Sequence, residues 1–165
     1  MEVGYNSGRR KHLTPTEMDE PMTDINRPLT HEKNQPEIFG HLGHTHALMA
    51  NHGLDHALSA LIELRASQIN QCAYCVDMHL KQARQAGVPQ SKLDTLVVWR
   101  EVDHFSAKER AVLAWTEALT KLDRDRELSN LRRDLREHCS EEEISVITAD
   151  ISLINLWNRV QKSKH

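Results

Sequence analysis

The run Asn70-Gln-Cys-Ala-Tyr-Cys-Val-Asp-Met-His79 places two thiols and an imidazole at helical spacing. If the segment is helical from about Cys72, then Cys72 falls in the first turn, Cys75 one turn deeper, and His79 on the same face at i+4 from Cys75. The reactive form of cysteine is the thiolate. A free thiol has a pKa of roughly 8.5, and a helix N-terminus, a nearby imidazole and a second cysteine each lower it. A C-x-x-C pair also closes a short ring, so that oxidation of one sulfur is resolved by the other. On spacing alone redox chemistry, metal ligation and incidental buried cysteines all remain open, and His79 favours the first two without separating them.

The elements around this run must position it. From Glu37 to Ala50 a first helix is predicted, with Ile38, Leu42 and Leu48 or Met49 inward. It belongs to a histidine-rich zone, His41, His44, His46, His52 and His56. The i, i+4 step of His52 and His56 suits two metal ligands, but no acidic partner completes a zinc motif, and surface histidine is the simpler reading. Leu54 to about Gln68 reads as a second helix, apolar at Leu54, Leu58, Leu61, Ile62 and Leu64. Asn70 is the predicted left-handed cap at its end. A reversal there would lay this helix antiparallel to the C-x-x-C helix and bring Glu63 and Ser67 towards the thiols.

The C-x-x-C helix is predicted to stop at Gly87, ahead of Pro89. A shorter helix, Ser91 to Trp99, carries Leu93, Leu96 and Val97. Capping boxes, Ser106 with Glu109 and Ser140 with Glu143, open two more helices. The first has Val112, Trp115, Leu119 and Leu122 inward, and the second repeats Ile144, Ile147, Ile151 and Ile154 as a core face. Between them a charge-dense stretch reads as a solvated turn and an amphipathic helix with Leu128, Leu131 and Leu135 inward. No period-two strand pattern appears, so the predicted class is all-α. The strand that precedes C-x-x-C in thioredoxin-like proteins is missing.

A chain of 165 residues suffices for one domain with its own core. Residues 1–36, punctuated by Pro15, Pro21, Pro28 and Pro36, read as a flexible arm and 37–165 as the domain. A net charge of -3 and 4% aromatics argue against nucleic-acid binding. The first ten residues lack an apolar targeting core, no apolar run is long enough for a membrane span, and three cysteines do not make a secreted disulfide framework. A reducing cytoplasm is the expected compartment.

The run Leu64 to His79, with Ala83-Arg84 and Gly87 after it, resembles the AhpD-like branch of the carboxymuconolactone decarboxylase family. Trp99-Arg100-Glu101, Ala114 to Leu119 and Ile154 to Arg159 look like the same branch, and the resemblance covers about residues 36 to 160. It implies an all-helical fold in homo-oligomers, commonly trimers or hexamers, and a thiol-dependent hydroperoxidase activity with no metal or organic cofactor. By that resemblance Cys75 attacks the peroxide, Cys72 resolves the sulfenic acid, His79 relays protons, and an external thiol or dithiol restores the pair. One departure stands out: the relay glutamate of the better-studied members, twelve residues before the first cysteine, falls here on Ala60. Glu63, near the same face, is the candidate replacement, and a weaker peroxidase or a different disulfide exchange is the expected consequence. The alternative is a metal-binding or structural module, with Cys72, Cys75 and His79 as ligands and a fourth from His52, His56 or Cys139, or with idle thiols. For Cys139 alone, an incidental buried thiol is expected.

Overall fold

The computed structural model describes residues 27–164. The first 26 residues of the expected arm lie outside this range. The helices are α1 (His31–Asn34), α2 (Pro36–Asn51), α3 (His56–Ile69), α4 (Ala73–Gln85), α5 (Gln90–Thr95), α6 (Ala107–Lys121), α7 (Ser129–Arg136) and α8 (Glu141–Lys162), with a 3-10 helix, Leu96–Glu101, between α5 and α6. Among the described residues there is no strand, as the absence of a period-two pattern requires.

The organising element is α3, which is buried on nearly every side. Leu61 and Leu64 pack into one core with Ala83 of α4, Leu96 and Trp99 of the 3-10 helix and Leu113 of α6. Leu58 and Ile62 pack into a second core with Val112 of α6, Leu135 of α7 and Ile147 and Ile151 of α8. A helix enclosed on all faces is apolar all round, so any polar side chain left on it must find a partner. The enclosed exceptions on α3 are Glu63 and Ser67.

Two chain reversals fix the thiol helix. At the end of α3 the left-handed residue is Gln71 (φ 54°), not Asn70, which stays helical. The N–H of Gln71 donates to the carbonyl of Gln68, and the N–H of Cys72 to that of Ser67, both at 3.1 Å. That six-to-one and five-to-two pairing is a Schellman closure, and it delivers Cys72 directly as the N-cap of α4. The Asn70 amide donates instead to the side-chain oxygens of Asn155 and Asn158 on α8, which explains asparagine there without a left-handed backbone. Gly87 (φ 79°) closes α4 the same way, through Gly87 N–H to Arg84 and Val88 N–H to Ala83.

Both capping boxes form as the sequence requires. The expected helix Ser91 to Trp99 instead gives way to the 3-10 segment after Thr95. Val97 is thereby exposed, while Trp99 turns in to Glu117. Leu122 also faces solvent, because it adopts the left-handed cap conformation after α6. On α2, Ile38 and Leu48 point outward and Met49 is the buried side chain. Residues just before α2 dock on the end of α8: Leu29 N–H donates to Lys164 O, His31 hydrogen-bonds Ser163, and Glu32 pairs with Lys164. Contacts with α8 thus already involve residues 29–32.

Candidate active site

Cys72 and Cys75 are joined by a disulfide, Cα to Cα 5.3 Å, at the N-terminus of α4. Both are buried, whereas Tyr74 between them is 62% exposed. A cavity of 290 Å³ opens over Cys75, lined also by His46, Met78, His79 and Trp157. Cys75 thus lies in the wall of this cavity, which Cys72 does not line. The partial positive charge of the first turn of α4 falls on both sulfurs and favours the thiolate once the bond is reduced.

His79 is 2% exposed. Its Nδ1 lies 2.7 Å from Oε1 of Gln82 and 3.2 Å from Oε2 of Glu63. Both neighbours are acceptors, which places the proton of the neutral imidazole on Nδ1. Nε2 is left with a lone pair, buried and without a hydrogen-bond partner. That atom is therefore able to take a proton from a neighbouring group and to return it.

Glu63, on the enclosed helix α3, also reaches a second imidazole: His46 Nε2 of α2 lies 3.3 Å from its Oε1. The contact is close, but its geometry is not that of a hydrogen bond, and Oε1 remains unpartnered. Asp150 of α8 is buried and receives a hydrogen bond from the Ser59 hydroxyl at 3.0 Å. Burial and the Glu63 carboxylate push the Asp150 carboxyl well above the usual range, to about 8, against the pull of Ser59.

A separate cluster holds the scaffold. Glu117 of α6 accepts from Arg65 of α3 at 2.6 and 2.8 Å, from Arg100 at 2.6 Å and from the Trp99 indole at 2.9 Å. Burial pushes its carboxyl up, but the bonds from Trp99, Arg100 and Arg65 outweigh this and hold it at about 2. It ties the 3-10 helix to α3 and α6.

Of the residues picked out from sequence, Cys72, Cys75, His79 and Glu63 come together. Ser67 does not join them: its backbone closes α3 and its hydroxyl accepts from Asn158. His52 is an exposed cap of α2, and His56 opens α3 beside a different cavity. Cys139 sits in the second core among Leu135 and Ile144, where burial pushes its thiol up. From the sequence His46 stands out only as one of the histidine-rich zone, and Gln82 and Asp150 are not singled out. Asp150 carried a signal, since it falls inside the stripe Ile147, Ile151, Ile154, where a charge interrupts a core face.

The described residues thus form an all-helical scaffold with a C-x-x-C pair at a helix N-terminus and, on the same helix, a histidine in contact with a buried carboxylate. The chain belongs to the carboxymuconolactone decarboxylase family, whose signature matches residues 40–118. It is 38% identical over 100 residues to the uncharacterised protein YdfG of Bacillus subtilis (strain 168), covering 61% of this chain and 68% of that one. To the uncharacterised protein YnjA of Escherichia coli (strain K12) it is 32% identical over 107 residues, covering 64% of this chain and 58% of the relative. A solved structure from Agrobacterium tumefaciens superimposes with a TM-score of 0.79 at 38% identity, covering 84% of this chain and 94% of that one. That protein is of unknown function and carries the suggested designation of an antioxidant defence protein, AhpD.

Proposed function

We propose that the protein is a thiol-dependent hydroperoxidase in which Cys75 is the nucleophile, Cys72 the resolving thiol and His79, set by Glu63, the proton carrier. The observation that carries this reading is the His79 imidazole, with Nδ1 held by Glu63 and Gln82 and Nε2 buried and unpartnered one helical turn beyond Cys75. In the reduced protein Nε2 takes the Cys75 proton. The thiolate attacks the terminal peroxide oxygen, an S–O bond forms, the O–O bond breaks, and His79 protonates the departing alkoxide. Cys72 then attacks the sulfenic sulfur and displaces water, forming the disulfide. The sum is two thiols plus ROOH giving disulfide, ROH and water. An external thiol or dithiol returns two electrons and two protons. No metal or organic cofactor enters this cycle.

Glu63 here replaces the relay glutamate that the family resemblance would put at Ala60. Both positions lie on α3, but Ala60 packs in the first core, whereas Glu63 meets His79. Ile38, Leu48, Val97 and Val98 remain exposed and give a trimer or hexamer apolar surface to bury. No helix among the described residues is long and apolar enough to cross a membrane.

The test is consumption of tert-butyl hydroperoxide with dithiothreitol as reductant. Wild type turns over, and Glu63→Gln lowers kcat/KM by about 10²-fold, in the range of general acid–base contributions, with an altered pH profile. No turnover by wild type would overturn the reading, and an unchanged Glu63→Gln would remove the relay.

A further inference from the structure

We propose that His46, Glu63 and Asp150 form a binding site for a divalent first-row transition ion that takes no thiol ligand and shares Glu63 with His79. The three side chains come from α2, α3 and α8, and one donor atom of each lies within 4.8 Å of the other two. His46 Nε2 and Glu63 Oε1 are 3.3 Å apart. Two atoms that each bind one zinc ion at about 2.1 Å in a tetrahedron stand roughly 3.4 Å apart, so this pair is already at ligand spacing.

Glu63 supplies the second, independent observation. It is 4% exposed, and its Oε1, on the His46 side, has no hydrogen-bond partner. A buried carboxylate oxygen left unpaired is costly and is rarely found without a cause. The other buried carboxylate of the group, on Asp150, faces it with a serine hydroxyl as its hydrogen-bond partner. Among the described residues no lysine or arginine pairs with either carboxylate, although Glu117 draws in two guanidiniums. A cation between the carboxylates would answer both the unpaired oxygen and their mutual repulsion.

The donor set decides the class of ion. One imidazole and two carboxylates, with no thiolate, suit zinc and its first-row neighbours; the imidazole argues against magnesium or calcium. Three protein ligands leave a position open, and the group borders a cavity of 680 Å³ that Asp55 and His56 also line. An ion there would fasten α2, which is exposed along most of its length, to the two helices beneath it. Oε2 of Glu63 would still hold His79, so the ion would act on the thiol site only through that carboxylate.

Calorimetric titration of Zn²⁺ into the full chain in its disulfide form tests the site, because sulfurs bonded to each other offer no thiolate. The expected result is one ion per chain that Asp150→Asn and Glu63→Gln each weaken by at least about tenfold, while zinc on surface histidines persists in both. If Asp150→Asn fails to fold, His46→Ala, on the exposed helix, reads the same site. No stoichiometric binding to wild type, or binding that these substitutions leave unchanged, overturns the proposal. As the measurement involves no peroxide, either outcome is independent of the hydroperoxidase reading.

Discussion

Cys75→Ser is expected to abolish hydroperoxide consumption, a loss of at least about 10³-fold measured as turnover with dithiothreitol. Serine keeps the shape of the site but replaces a group that ionises near neutrality with a hydroxyl that does not. Cys75 is the cysteine one turn from His79 and in the wall of the 290 Å³ cavity, so under the proposed mechanism its loss removes the nucleophile and not only the disulfide. Cys72→Ser separates the two roles. With Cys75 intact, the first equivalent of peroxide is still reduced, but the sulfenic acid has no neighbour to resolve it, and a second equivalent carries it to the sulfinic state. Mass spectrometry of each variant after one equivalent of peroxide reads the difference directly. A Cys75→Ser protein with wild-type turnover would exclude this assignment.

Glu117→Gln is expected to destabilise the fold by about 3 kcal/mol, the cost of breaking a buried ion pair from one side. The amide keeps the volume but withdraws the charge that Arg65 and Arg100 share and weakens the bond from the Trp99 indole. The sign of the pH dependence follows from the depressed carboxyl. Its pKa in the fold, about 2, lies below the ordinary 4.5, so the stabilisation is present above pH 4.5 and is lost as pH falls from there towards 2. Chemical denaturation at pH 7 should show the full difference, and the difference should shrink through that acid window. Equal stability of the two proteins at pH 7 would mean that the cluster is not what holds the 3-10 helix to α3 and α6.

Much of the fold could be read from local chemistry. Ser106 with Glu109, Ser140 with Glu143 and Gly87 mark helix ends through bonds made within a few residues, and all three do so here. The thiol helix was legible for the same reason, since Cys72, Cys75 and His79 share one element. What local pattern could not supply was the environment of each helix. Ile38 and Leu48 have the spacing of a buried face, yet α2 has little packed over that side. The reversal before Cys72 uses Gln71 because Asn70 is taken by Asn155 and Asn158, 85 and 88 residues away. Glu63 was a candidate by its helical position, but its contacts depend on α2 and α4 folding against α3. Its neighbours His46 and Asp150 depend on pairings between distant segments, which periodicity does not encode.

A redox couple at Cys72 and Cys75 is tested most directly by treating the folded, reduced full chain with one equivalent of hydroperoxide and counting free thiols, before and after, in samples denatured for the count. The account predicts that three thiols per chain fall to one, the buried Cys139, with no crosslink between chains. Three thiols still free after the peroxide has been given time to react would contradict it.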